Sequence, residues 1–190
     1  MAVGVLALQG AVREHLQALQ RIGVEAFGVR TPEEVEACQA LVLPGGESTT
    51  IGKLMARYQL LEPIRRLVAA GRPLLGTCAG MILMAKRIEG GLADQPALGV
   101  MDITVARNAF GRQVDSFEAD LDFVGVNSGP TRAVFIRAPI IRSVGPAVEV
   151  LAEHEGCIVA ARQGKLLALS FHPELTEDTR VHRYFLSLME

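Results

Sequence analysis

The sequence predicts an α/β fold in three layers. A mostly parallel sheet is covered by helices on both faces and continues into an antiparallel or mixed extension in the second half. Three observations predict it. Short apolar runs alternate with amphipathic stretches from the N-terminus as far as Ala85. Glycine and proline punctuate the joints between them. Beyond Met101 the strand-like runs follow one another with few helical stretches between.

Taken in order, Val3–Leu8 is an apolar run of the kind a strand buried on both faces requires. Val12, Leu16, Leu19 and Ile22 recur at helical spacing, and Gly23 closes that helix. Val24–Val29 reads as a second strand. Thr31-Pro32-Glu33-Glu34 starts a helix, with a Thr cap, Pro in the first position and Glu three residues after the cap. Ala40–Leu43 is a third strand, ended by Pro44-Gly45-Gly46. Ile51, Leu54 and Met55 mark one helix, and Leu60–Ala70, closed by Gly71, marks another. Pro73–Gly76 is a fourth strand. It runs into Thr77-Cys78-Ala79-Gly80 and then an apolar helix with Met81, Ile82, Met84 and Ala85. Strands joined by short helices require right-handed crossovers, which gives a flavodoxin-like sheet. The second half offers strands at Met101–Val105, Val114–Asp122, Ala133–Ile136, Val148–Ala152, Cys157–Ala161 and Leu166–Ser170. A closing helix, Asp178–Met189, sets Val181, Tyr184, Phe185 and Leu188 on one face.

Composition narrows the function classes. The chain has 190 residues, close to one typical domain of roughly 150. With no repeat and no Pro/Ser-rich linker, residues 1–190 are expected to form a single domain. Lys and Arg number 19 against 21 Asp and Glu, which argues against a nucleic-acid footprint. The three cysteines are odd in number and widely spaced, so a disulfide scaffold is excluded and a reducing, cytoplasmic setting is expected. No membrane partner is expected: the most apolar stretch, Pro73–Ala85, contains Gly76, Thr77 and Gly80 and is too short for a bilayer helix. The apolar start, Ala2–Leu8, lacks the basic region of a signal peptide and reads as a buried strand.

The sharpest local feature is Gly76-Thr77-Cys78-Ala79-Gly80 between a buried strand and an apolar helix. This is the thiol form of a nucleophile elbow. The residues two before and two after the nucleophile must be small, because the turn crowds the backbone, and Gly76 and Gly80 meet that need. The elbow lies at the end of a parallel strand, where such folds bind ligands. The competing reading is a cysteine packed as a small hydrophobe. That reading is preferred for Cys38 and Cys157, whereas the flanking glycines favour a nucleophile at Cys78.

A catalytic thiol needs a base. His15 and His182, on the first and last helices, are expected to be solvated or capping, without chemistry. His154-Glu155 is followed by Ile158 where a zinc-protease motif needs His, so that motif fails. His172 follows a strand and begins His172-Pro173-Glu174. In an extended segment, which Pro173 favours, residues two apart share a side, so Glu174 can orient His172. A strand-end His beside an unrelated surface Glu is the competing reading.

The Gly45-Gly46-Glu47-Ser48-Thr49-Thr50 loop is not a P-loop. Five residues separate Gly46 from Gly52, and Leu54 follows Lys53 where Ser or Thr is required. No two glycines are separated by one residue, so the dinucleotide fingerprint is absent too. Exposed backbone N–H groups in this loop suit a developing oxyanion. Alone, the loop reads as a glycine turn with Ser48 capping the next helix. No Cys or His pair has metal-ligand spacing, so no metal is expected.

Pro44-Gly45-Gly46, the Gly76-Thr77-Cys78-Ala79-Gly80 elbow and His172-Pro173-Glu174, in this order, resemble the class I, triad-type glutamine amidotransferases. Longer strings are similar to the branch that serves as glutaminase subunits of pyridoxal 5'-phosphate synthase. They are Leu8 to His15, Leu43 to Thr50, Arg107 to Glu118, Phe135 to Pro139 and Ser170 to Thr176, with Ala109 standing where that branch has Ser. The resemblance implies hydrolysis of L-glutamine to L-glutamate and ammonia through a thioester on Cys78. His172 would be the acid and base, with Glu174 orienting it. It implies oxyanion donors at Gly46 and Ala79, and substrate contacts from Gly45, Gly46, Glu47, Ser48, Arg107, Ile136 and Arg137. It further implies that Gln9 and Gly10 rearrange on partner docking. The implied partner is a synthase subunit, a (βα)8-barrel oligomer that makes the vitamin B6 cofactor. This chain's own reaction would need no cofactor.

Overall fold

The computed structural model describes residues 2–92, 94–107 and 116–190. Ala109, the rest of the 108–115 part of the family string, and the first two residues of the expected Val114–Asp122 strand lie outside the described residues. The first half alternates as expected: β1 (Ala2–Leu6), α1 (Val12–Arg21), β2 (Glu25–Val29), α2 (Pro32–Ala37), β3 (Ala40–Leu43), α3 (Ser48–Arg57), α4 (Leu61–Ala69), β4 (Leu74–Thr77) and α5 (Ala79–Met84). The second half holds β5 (Ala85–Glu89), β6 (Met101–Ala106), β7 (Ser116–Leu121), β8 (Thr131–Ile136), β9 (Ile140–Val144), β10 (Glu149–His154), β11 (Cys157–Gln163) and β12 (Leu166–Leu169). It closes with α6 (Arg180–Ser187).

One sheet runs β2-β1-β3-β4-β12-β11-β9-β6-β5, with β10 beside β11, and β7 and β8 form a separate hairpin. The first five strands in that order are parallel. The strands from β12 to β6 pair antiparallel, and β6 and β5 pair parallel at the far edge. A mostly parallel flavodoxin-like sheet with an antiparallel extension is therefore what the chain forms.

Strand residues explain the layering. Leu41, Leu43 and Leu74 face one core with Val35, Ile51, Met55, Ile64 and Met81 from α2 to α5. Their neighbours Val42 and Leu75 face the other core, with Leu19 of α1 and Val181 and Phe185 of α6. Side chains alternate across a strand, so a strand covered on both faces is apolar at every position. The β7–β8 hairpin packs on this second core through Leu121, Ala133 and Phe135.

Caps read from sequence are in place. Thr31 accepts from the Glu34 amide while the Glu34 carboxylate accepts from the Thr31 amide, a complete capping box. Gly23 and Gly71 follow α1 and α4 with φ of 77° and 72°, a left-handed turn that glycine enters without a Cβ penalty. Three details differ from expectation. Ala85 leaves the helix and pairs with Met101, because its extended backbone joins the sheet. The segments Ala85–Glu89 and Ile140–Val144 are strands that lack an apolar run: Lys86, Arg87 and Glu89, and Arg142 and Ser143, face outward. Glu47, not Ser48, caps α3, accepting from the Thr49 amide at 3.1 Å.

The elbow between β4 and α5 leaves no room for side chains. A Cβ at Gly80 would stand 2.1 Å from the Leu43 carbonyl oxygen, and one at Gly76 would stand 2.5 Å from Met84 Sδ. Gly80→Ala is expected to destabilise the fold by about 1–3 kcal/mol through overpacking against β3 backbone. A denaturant midpoint matching that of the unsubstituted chain would contradict this.

Candidate active site

The carboxyl ends of four adjacent parallel strands converge on one place. β1 leads to Gln9 and Gly10, β3 to Pro44-Gly45-Gly46, β4 to Cys78, and β12 to His172. Cys78 has φ 49° and ψ −102°, a left-handed backbone that a non-glycine residue holds only when its surroundings impose it. Those surroundings include its amide, which donates to the Leu169 carbonyl at 2.8 Å. The thiol is buried, with its sulfur 3.9 Å from the Ile136 carbonyl oxygen.

His172 is held from two sides. Its backbone amide donates to the Val134 carbonyl of β8 at 2.8 Å. Its ring Nδ1 lies 2.7 Å from Glu174 Oε1, and both side chains are buried. The sequence expectation was an extended His172–Glu174 segment. Instead Pro173–Leu175 forms a 3₁₀ turn, and this turn brings the carboxylate back to the imidazole. Pro occupies the first position of that turn, where its missing N–H costs nothing. Burial disfavours charge on His172, but hydrogen bonds to Cys78 and Glu174 outweigh it and raise its pKa to about 10. Gly45 lies against this pair: a Cβ there would stand 2.3 Å from His172 Cε1 and 3.4 Å from Cys78 Cβ.

A cavity of about 370 Å³ opens above the thiol. Cys78, Ala79 and His172 line it on one side. Gly45, Gly46, Glu47 and Ser48 line a second side, and Arg107, Ile136 and Arg137 a third. Gln9 and Gly10 complete the wall, so each residue to which the family resemblance assigns a role, Glu174 excepted, borders this cavity. Gln9 Oε1 accepts from the Glu47 amide at 2.8 Å, and the Ala11 amide donates to the Gly45 carbonyl at 3.0 Å, so the two loops are clamped together. Gly10, at φ 103°, permits this: a Cβ would stand 1.8 Å from the Gly45 oxygen. Arg107 is held by Glu47 at 3.3 Å and by Thr49 and Gln95 at 3.4 Å. The Ser48 hydroxyl is buried without a partner among the described residues. Arg137 adopts φ 42°, a strained turn at the cavity rim. Ile82, Pro139 and Leu175 also line the cavity; Pro139 and Leu175 lie in the family strings without an assigned role, and Ile82 reads from sequence only as part of an apolar helix.

The expectation that His15 and His182 are solvated is overturned. Both are fully buried, and His15 Nδ1 lies 3.1 Å from His182 Nε2. His15 Nε2 lies 3.1 Å from Thr77 Oγ1 and 3.4 Å from Glu174 Oε2. The sequence carried a signal for this, since His15 stands three after Val12, four before Leu19 and seven before Ile22, on the buried stripe. Burial pushes the pKa of both imidazoles down, that of His182 to about 3 with further repulsion from His15. Glu174 is held below the usual carboxylate range: burial opposes its charge, but His15 and His172 overcome it.

Neutral burial has a pH consequence. An unfolded histidine titrates near 6.5. Below that pH the unfolded chain takes up a proton that folded His182 refuses until about 3. Stability is therefore intact above pH ~6.5 and is lost progressively as pH falls toward 3. Thermal unfolding across this range should show the loss, with a shallower slope in His182→Leu; an unchanged slope would refute the assignment.

The chain has close relatives in both sequence and fold. A family model described as the SNO glutamine amidotransferase family matches residues 5–190. A Herpetosiphon aurantiacus protein named pyridoxal 5'-phosphate synthase subunit PdxT is 61% identical over 99% of this chain and 100% of its own length. The Pelotomaculum thermopropionicum protein of the same name is 60% identical over 98% of this chain and 94% of its own. A crystal structure of a glutamine amidotransferase superposes with a TM-score of 0.93 at 56% identity, covering 98% of each chain. The match runs through every strand that delivers a residue to the cavity, and the chain belongs to the SNO glutamine amidotransferase family.

Proposed function

We propose that the chain is a glutaminase whose Cys78, His172 and Glu174 hydrolyse L-glutamine to L-glutamate and ammonia. The observation that carries this reading is the elbow. A buried cysteine at positive φ stands beside a carboxylate-held imidazole at the floor of a cavity rimmed by two arginines.

The Cys78 thiol passes its proton to His172, and its sulfur attacks the side-chain amide carbon of glutamine, forming a tetrahedral carbon with negative charge on oxygen. In this reading the backbone N–H groups of Gly46 and Ala79 are the donors that bind that oxygen. The carbon–nitrogen bond then breaks, and His172 gives its proton to the departing ammonia, leaving a thioester on Cys78. Water, deprotonated by His172, attacks the thioester, and glutamate leaves as the thiol regains a proton. Glu174 fixes the ring throughout by accepting from Nδ1. Arg107 and Arg137 suit the α-carboxylate of glutamine, and Glu47 and Ser48 offer acceptors for its α-ammonium. The chain works as one amidotransferase domain over residues 1–190.

Ammonia passes to the synthase subunit of pyridoxal 5'-phosphate synthase, a (βα)8-barrel oligomer that builds the vitamin B6 cofactor. The PdxT relatives support that pairing, since their names make them subunits of this synthase. Among the described residues no helix is long and apolar enough to cross a membrane. A free nucleophilic thiol suits a reducing compartment, which supports the cytoplasm as the setting of the proposed reaction. Gln9 and Gly10 rearrange on docking and complete the oxyanion site. Their clamp on the Gly45–Glu47 loop is the physical route by which a partner acts on it.

Glutamate release by the chain with its synthase subunit tests this directly. Cys78→Ala is expected to abolish turnover and keep partner binding, and His172→Ala to lose more than Glu174→Ala. Release is expected to rise on adding the synthase. Retained turnover in Cys78→Ala would refute the nucleophile. The imidazole pKa of about 10 sets a further expectation. kcat/KM should decline on the alkaline side near pH 10, not near 6.5, and Glu174→Gln should move that limb to lower pH. A limb that ignores Glu174 would contradict the coupling.

A further inference from the structure

The buried polar chain does not stop at Glu174. Its Oε1 faces His172 Nδ1 at 2.7 Å. Its Oε2 is buried without an aligned hydrogen bond, and His15 Nε2 stands 3.4 Å away. That same nitrogen is 3.1 Å from Thr77 Oγ1, and His15 Nδ1 is 3.1 Å from His182 Nε2. His182 Nδ1 has no partner among the described residues.

Two neutral proton arrangements fit these distances. In the first, His15 carries its proton on Nδ1 and donates to His182. Its Nε2 then accepts from the Thr77 hydroxyl, the neighbouring Glu174 Oε2 faces a lone pair and is left without a donor, and the His182 proton on Nδ1 is a buried donor with no acceptor among the described residues. In the second, His15 carries its proton on Nε2, shared between Glu174 Oε2 and Thr77 Oγ1. His182 donates from Nε2 to His15 Nδ1, and what stays unpaired along this chain among the described residues is the His182 Nδ1 lone pair. An orphaned buried N–H and a carboxylate facing a lone pair both cost more than one idle acceptor. A doubly protonated ring is opposed by complete burial.

We propose that His15, as its neutral Nε2–H tautomer, is a positioning residue for the reaction, donating to Glu174 Oε2 and so holding the carboxylate that aims His172 at Cys78. His182 sets this tautomer from behind. The inference rests on the triad reading above. His15 does not line the cavity, so it acts on turnover and not on substrate binding. The charged and titratable groups around the chain are Cys78 and His172 above, Glu14 beside His15, and Arg21 beside His182.

Histidine-selective 15N NMR on the full chain reads the tautomers directly. The expected result is an Nε2–H tautomer for both His15 and His182 at neutral pH. An Nδ1–H tautomer or an imidazolium at His15 would overturn the proposal, and this reading stands even where a variant fails to fold. In the complex with the synthase subunit, His15→Leu is expected to lower kcat roughly ten- to hundredfold, the range typical of groups that orient a ligand from behind. KM for glutamine should stay unchanged. The acid limb of kcat/KM should move to higher pH, because Glu174 loses a donor to its charged form. His15→Gln, whose amide N–H reaches the same oxygen, should restore most of kcat. Wild-type kcat and pH profile in His15→Leu, or equal damage in Gln and Leu variants of equal stability, would refute the role. Cys78→Ala separates the two claims. Turnover retained there sinks the triad; turnover lost there but normal in His15→Leu sinks only the positioning role.

Discussion

The pairing of β4 with β3 on one side and β12 on the other is the constraint on which the site depends. Leu43 pairs with Gly76, and Leu169 pairs with Thr77. That register sets the ends of three parallel strands level, so a glycine loop, a thiol and an imidazole leave the sheet at one height. The Cys78 amide bond to the Leu169 carbonyl extends the ladder one residue into the elbow, locking the left-handed backbone. Gly76 and Gly80 then follow from sterics, because the turn passes within contact of the Leu43 carbonyl and the Met84 sulfur.

A second constraint is electrostatic. A carboxylate as buried as Glu174 must find donors, and two histidines from different elements approach it. The two are asked to do opposite things. His172, facing both Cys78 and Glu174, favours its proton and keeps it into the alkaline range. His15, packed against His182 in a dry site, stays neutral. One carboxylate thus sits between a charged and an uncharged imidazole, and the asymmetry comes from the second neighbour each ring has.

The cavity rim is assembled differently from its floor. The floor belongs to the parallel sheet, while Ile136 ends, and Arg137 follows, a hairpin that pairs with no strand of that sheet among the described residues. The hairpin is tied in through the His172 amide bond to Val134 and the contact of Phe135 with Phe171, ring centroids 5.7 Å apart. Loops from β1 and β3 grip each other through Gln9 and the Glu47 amide. A change at either loop is therefore transmitted to the other by backbone contact.

The alternating first half, the elbow, the Thr31 cap and the Gly23 and Gly71 helix ends are all legible in the sequence. Each of these is written in local chemistry: apolar strands of four or five residues, a G-x-C-x-G turn, a Thr-Pro-Glu-Glu helix start. Short motifs, each satisfying a steric or acid–base need, also singled out Cys78, His172 and Glu174 as candidates, and the fold brings the three side chains together. Tertiary structure alone decided that β12 lies against β4, since a pairing across some ninety residues leaves no local trace. It decided that a 3₁₀ turn, not an extended strand, returns Glu174 to His172. It decided that Ala85–Glu89 and Ile140–Val144 are strands, because their outward charged residues hide the apolar pattern while backbone pairing supplies the stability. And it decided the fate of His15 and His182. Helical spacing placed His15 on the buried stripe, but only the meeting of α1, α6 and the turn after β12 supplies the carboxylate, hydroxyl and second imidazole that make a buried histidine tolerable.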